Sequence, residues 1–164
     1  GPASVSDMRA WSGMRGLRAV FERMRPELRT FRDERGRELF DVPDGPLPDP
    51  DTPAPPRFLA DFDNAVLGHD DRSRIIDDAY RRYVVEGHRF FLVDGMVRGR
   101  WRTEGTGRRT RIVVEPFTRL TRDERRAVDA EARRVRELAR SAPARPAPAT
   151  STALARTAGP RPGS

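Results

Sequence analysis

SVSDMRAWSGMRGLRAVFERMRPELRTFRDERGRELFDV, residues 4–42, decides the fold of this chain. Ser4 is placed to cap a helix through Trp11, with Asp7 as the capping-box acid three residues on and Val5, Met8 and Trp11 sharing one face. Ser12-Gly13 makes a turn. A second helix is predicted from about Met14 to Arg25, where Leu17, Val20, Phe21 and Met24 recur at helical spacing and Pro26 stops it. Its other side carries Arg15, Arg18, Arg23 and Arg25 against the single acid Glu22. Leu28 to Arg32 and Arg37 to Val42 then alternate apolar and polar residues around Asp33-Glu34-Arg35-Gly36, which predicts a hairpin exposing Arg29, Arg32, Arg35 and Arg37. Two helices and a basic hairpin are the parts of a winged helix without its first helix, with Trp11 expected in the core between the two helices. Arginines on the second helix and the wing suit phosphate contacts, so Arg15, Arg18, Arg23, Arg29, Arg32, Arg35 and Arg37 are the candidate DNA-binding residues.

Working outward, the 164 residues hold one modest domain or two small lobes. Residues 141–164 are Ala, Pro, Thr, Ser and Gly with Leu154, Arg145, Arg156 and Arg161 and no acids, which reads as a disordered basic tail. Of the formal +7, those three arginines account for three, leaving +4 for the body. Every basic residue in the count of 32 is arginine, a bias that a GC-rich genome explains without selection for phosphate contacts. No cysteine is present, which excludes disulfides and thiolate-bound zinc. No run approaches a membrane span and no signal peptide opens the chain, so a cytoplasmic protein is expected. Gly1-Pro2 stands where an initiator Met would be, and the expectation is the downstream part of a longer polypeptide.

Residues 43–56 are too proline-rich for helix or central strand and form a semi-rigid connector between the winged helix (1–42) and a second lobe (57–140). In that lobe Phe58, Leu59, Phe62, Val66 and Leu67 should pack along the body, with a helical turn from about Asn64 and a short helix through Tyr80 and Tyr83. A β-meander follows: His88 to Val93, a turn at Asp94-Gly95, Met96 to Arg102, a looser turn at 104–107, and Thr110 to Pro116. Three strands need a cover. A helix capped by Thr121 and Glu124, running through about Arg140, offers Val128, Ala132, Val135 and Leu138 or Ala139 for it. The fold class is therefore α+β: a truncated winged helix, a small barrel-like β-meander lobe, a closing helix and a tail.

Several separated words of the second half occur in a familiar order. Asp49-Pro50-Asp51-Thr52-Pro53-Ala54-Pro55, Arg57-Phe58-Leu59, Phe62-Asp63-Asn64, His69, Asp71-Arg72, Arg74, and Leu92-Val93-Asp94-Gly95 with Val97, Gly99, Trp101 and Arg102 resemble the C-terminal half of bacterial winged-helix DNA-binding proteins that include the AlkZ/YcaQ-type DNA glycosylases. The resemblance runs from about Ser4 to Arg140. It implies tandem winged helices around a DNA channel, a small β lobe, and removal of alkylated bases or unhooking of crosslinks. It also implies a catalytic pair of glutamines one residue apart in an upstream region, and this chain contains no glutamine. Activity is not expected of the chain alone.

Candidate chemistry is sparse. A glycosylase stabilises cationic character at the departing sugar, for which Asp61, Asp63, Asp70 and Asp71 would be the nominees. Beside Arg57, Arg72 and Arg74 they read better as an ion-pair and hydrogen-bond network fixing the segment onto the winged helix, with His69 a scaffold residue, and no catalytic residue is assigned. Asp61, Asp63, His69 and Asp71 match no metal loop, so no metal and no cofactor are expected. Trp101 should face the barrel or the closing helix, and Gly95, Gly99, Gly105 and Gly107 sit in turns or bends. Arg98, Arg100, Arg102, Arg108, Arg109 and Arg111 make one side of the meander basic, a surface that either continues a phosphate track or is simply solvated. The expected partner is double-stranded DNA, bound by a monomer. The alternatives are the downstream part of a glycosylase and an interaction module that has lost its DNA.

Overall fold

A computed structural model describes residues 1–141. The expected tail lies outside them except for Ser141, which ends the last helix.

Helix α1 (Val5–Ser12) carries the capping box of Ser4 and Asp7, and it ends at Gly13, whose φ of 69° no β-carbon-bearing residue adopts cheaply. Helix α2 (Leu17–Met24) begins three residues later than its apolar spacing suggests, because Gly16 has a φ of 73° and breaks the helical path. The wing is β1 (Arg29–Arg32) paired antiparallel with β2 (Glu38–Asp41), and Ala3 bridges the other edge of β2 at Phe40. Trp11 does not fill a core between the helices. It is 60% exposed although it lies one turn beyond the buried Asp7 on nearly the same side of α1, because the contact with the second lobe, at Asp70, is made at the Asp7 turn. Leu17 is buried, yet Met24 further along the same stripe is 44% exposed. An apolar groove of about 400 Å³ between Met8, Val20, Phe21, Leu28 and Phe40 therefore lies open on this half.

The second half is built on a four-stranded antiparallel sheet in sequence order: β3 (Arg57–Phe58), β4 (Arg89–Val93), β5 (Met96–Glu104) and β6 (Arg111–Pro116). The extra strand, β3, leaves the proline connector and pairs with Phe91 and Leu92. Alternation along β4 sends Phe90 and Phe91 to opposite faces, and each is at most 1% exposed. Both faces of the sheet are consequently covered. On one side Phe90 and Val97 pack with Leu59, Val66, Ile76 and Val84, contributed by the segment that holds α3 (Asn64–Leu67) and α4 (Arg82–Val85). On the other, Phe91 and Val93 meet Leu120 and Val128 at the start of α5 (Arg122–Ser141). Helix α5 packs against β3 and β6, the two edge strands, and so bridges the sheet where a barrel would close with strand pairing. Leu138 is 70% exposed and takes no part in its buried stripe. Phe62 is 75% exposed and does not pack along the body.

Candidate nucleic-acid interface

The wing does not stand free. Its turn is organised by the Asp33 carboxylate, which accepts from the Arg35 and Arg37 amides at 3.0 and 2.8 Å and from Arg37 Nε at 2.6 Å. That turn aims two guanidinium groups at Asp71 of the second half, Arg35 at 2.7 Å and Arg37 at 3.1 Å. Hydrogen bonds from the Ser73 amide and hydroxyl lower the Asp71 carboxyl to about 2, against a smaller opposing effect of burial and with Arg35 and Arg37 adding to the shift. Arg35 and Arg37 thus tie the wing to the second half while their side chains remain 66% and 44% exposed.

Asp7 makes the second tie. Burial alone would raise its carboxyl, but the Ser4 amide and hydroxyl and the Asp70 amide donate to it and His69 lies beside it, so it is held below the ordinary carboxylate range. Arg74 sits 2.9 Å from His69 Nε2, and His69 Nδ1 lies 3.7 Å from Asp7. Together these residues border a cleft of about 490 Å³ in which acids and arginines alternate.

The other members of the expected network are dispersed. Asp61 pairs with Arg89 at 2.7 Å, and Asp63 caps α3 by accepting from the Ala65 amide. Arg72 donates to the carbonyls of His69 and Leu67, while Arg57 reaches toward Glu131 on α5 at 4.0 Å. One continuous network of these groups does not exist, because β3 and α3 carry their side chains to different neighbours. Among the described residues no group of three or more His, Asp or Glu side chains is arranged to hold a metal.

Five of the seven candidate arginines remain. Arg15, Arg18, Arg23, Arg29 and Arg32 are exposed and form no ion pair among the described residues. Arg29 donates to the Pro43 carbonyl and lies over the Phe31 ring at 5.3 Å, and Arg32 donates to the Gly36 carbonyl, so both are steered by the hairpin. On α2 the five positions between Arg18 and Arg23 separate them by about 140° around the axis, so they flank the apolar stripe instead of sharing one face. Arg25, by contrast, is neutralised between Glu22 and Glu38.

Sequence reasoning named the meander arginines as a basic side but missed Arg136 and Arg140 on α5. On the sheet, Arg98 pairs with Glu124, Arg100 with Glu115, and Arg102 with Glu104 and Glu115. Among the described residues Arg108 and Arg109 have no such partner, and they line a second cleft together with Arg136 and Arg140. The run Gly107-Arg108-Arg109 was a legible signal, but its convergence with Arg136 and Arg140, 27 or more residues later on α5, was not. Trp101 donates its indole N–H to the Leu59 carbonyl at 3.0 Å beneath the Arg89 guanidinium, which fixes it within the fold.

A family model described as DNA glycosylase AlkZ-like matches residues 1–138. Among solved structures, the DNA glycosylase AlkZ of Streptomyces sahachiroi is similar, with 24% identity and a TM-score of 0.61 over 85% of this chain and 40% of that one. This chain thus spans about two fifths of that protein, and the likeness shows a shared fold. No curated protein matches the chain.

Proposed function

The chain belongs to the AlkZ-like DNA glycosylase family, and on that premise we propose that it binds double-stranded DNA as a monomer through phosphate contacts from Arg15, Arg18, Arg23, Arg29 and Arg32. The observation that carries this reading is that these five guanidinium groups, on α2 and the hairpin, are exposed and unpaired among the described residues, whereas Arg35 and Arg37 are consumed at Asp71. A cytoplasmic location and binding without a small-molecule cofactor go with the same reading.

Duplex affinity measured across a salt series tests it. Five neutralised phosphates give a slope of log K on log salt of about −4.5. The triple variant Arg15→Gln, Arg18→Gln, Arg29→Gln should flatten that slope by nearly three, at about 0.9 for each lost contact. A flat response in the parent chain removes the proposal.

Base excision from alkylated or crosslinked duplex is proposed of a polypeptide that also carries the glutamine pair, since this chain has no glutamine and spans 40% of the similar Streptomyces enzyme. These 164 residues alone should release no base from an alkylated duplex, and release would refute that placement.

A further inference from the structure

We infer that Arg108, Arg109, Arg111, Arg136 and Arg140 form a pocket for a phosphate oxyanion, separate from the arginines of α2 and the wing. The 3-10 turn Gly107–Arg109 between β5 and β6 packs against α5, and the cleft between them, about 510 Å³, is lined by these five arginines with Gly105 and Thr110 and by no acid. Neighbouring arginines on the sheet show what this chain does elsewhere with such charge: Arg98, Arg100 and Arg102 each have a glutamate. Here the nearest pairing is Arg111 to Glu104, at 3.9 Å.

A second observation points the same way. Arg136 Nε is buried and has no hydrogen-bond partner, the one such side-chain atom among the described residues. A buried guanidinium N–H wants an acceptor, and five converging positive groups repel one another unless an anion sits between them. The helix dipole at the end of α5 accounts for Arg140 in its last turn but draws in neither Arg136 nor the three arginines from the turn and β6. Residues 142–164 contain neither Asp nor Glu. Guanidinium forks meet the several oxygens of a phosphate bidentately, which selects that oxyanion chemistry. It has two sources, a nucleic-acid phosphodiester or a free polyphosphate, and the first rests on the DNA-binding reading above.

The full chain, labelled with nitrogen-15, is titrated with pyrophosphate while the Arg136 Nε–H resonance is followed. A saturable shift is expected, weakened at least tenfold in the exposed-turn variant Arg108→Gln, Arg109→Gln and unchanged in the charge-matched control Arg119→Gln, Arg122→Gln, with equal melting temperatures. Duplex binding across salt then separates the sources. A slope flattened by one to about two in the turn variant assigns a phosphodiester. An unchanged slope beside intact pyrophosphate binding assigns a free polyphosphate. If the parent chain binds no duplex but keeps the pyrophosphate response, the DNA reading fails and the pocket stands. No saturable shift in the parent chain, or equal weakening in the control, overturns the inference.

Discussion

Two residues show how far local chemistry reads from sequence and where it stops. Gly99 sits within β5, not at a bend, and a β-carbon there would run into the Glu115 carbonyl oxygen and the Phe91 ring, with Pro116 Cα at 2.7 Å. Backbone on the neighbouring strand cannot yield, so Gly99→Ala should destabilise the protein by about 1–3 kcal/mol in urea unfolding. Phe62 is 75% exposed and held at φ 57°, a left-handed conformation costly for a bulky side chain. Asp61 bound to Arg89 and Asp63 capping α3 pin it from both sides. Since little packing is lost, Phe62→Asn should raise stability by about 0.5–1 kcal/mol, and a lowered melting temperature would show that the turn is not strained. Both capping boxes, Ser4 with Asp7 and Thr121 with Glu124, were legible because they are local patterns. The partners of Asp61 and Asp71 were not, since they lie 28 and 36 residues away.

Elements are legible as periodic stripes, but a stripe does not say what covers it. Along α5 the spacing nominates Val128, Ala132, Val135 and Leu138 or Ala139 alike, yet cover is lost along the helix: Val128 is 1% and Leu138 70% exposed. Val128→Ala should therefore cost about 2 kcal/mol from two lost methyl groups and the resulting cavity, while Leu138→Ala should change stability by less than about 0.5 kcal/mol. Equal effects in thermal melts would contradict this placement of the helix. The same logic explains Trp11 and Met24, which are exposed at the ends of stripes whose other members, such as Leu17, are covered. The strand at Arg57–Phe58 escaped sequence reading because two residues after a proline run carry no alternation to detect.

At the scale of the molecule, the two halves meet through carboxylates that are lowered in the folded state. For such a group the stabilisation is complete above its unfolded value and is lost as pH falls through its folded one. Asp71 falls from 3.8 to about 2, and Asp7 is lowered as well, so the junction should weaken as pH drops from about 4 toward 2. Hydrogen exchange should then quicken first at the Asp70 and Ser73 amides, which donate to Asp7 and Asp71, before the sheet core responds. In Asp71→Asn the Ser73 amide should lose that acid dependence, and retention would place the titrating group elsewhere. What the sequence determined by itself is the α+β order of capped helices, hairpin and meander, because caps, turns and alternation act over a few residues. Only the tertiary structure decided which arginines are free: it spent Arg35 and Arg37 on Asp71 and gathered Arg108, Arg109, Arg136 and Arg140 around one cleft. The physical reason is that a guanidinium is neutralised by whatever carboxylate lies within a few ångströms, and that distance is set by how distant segments pack.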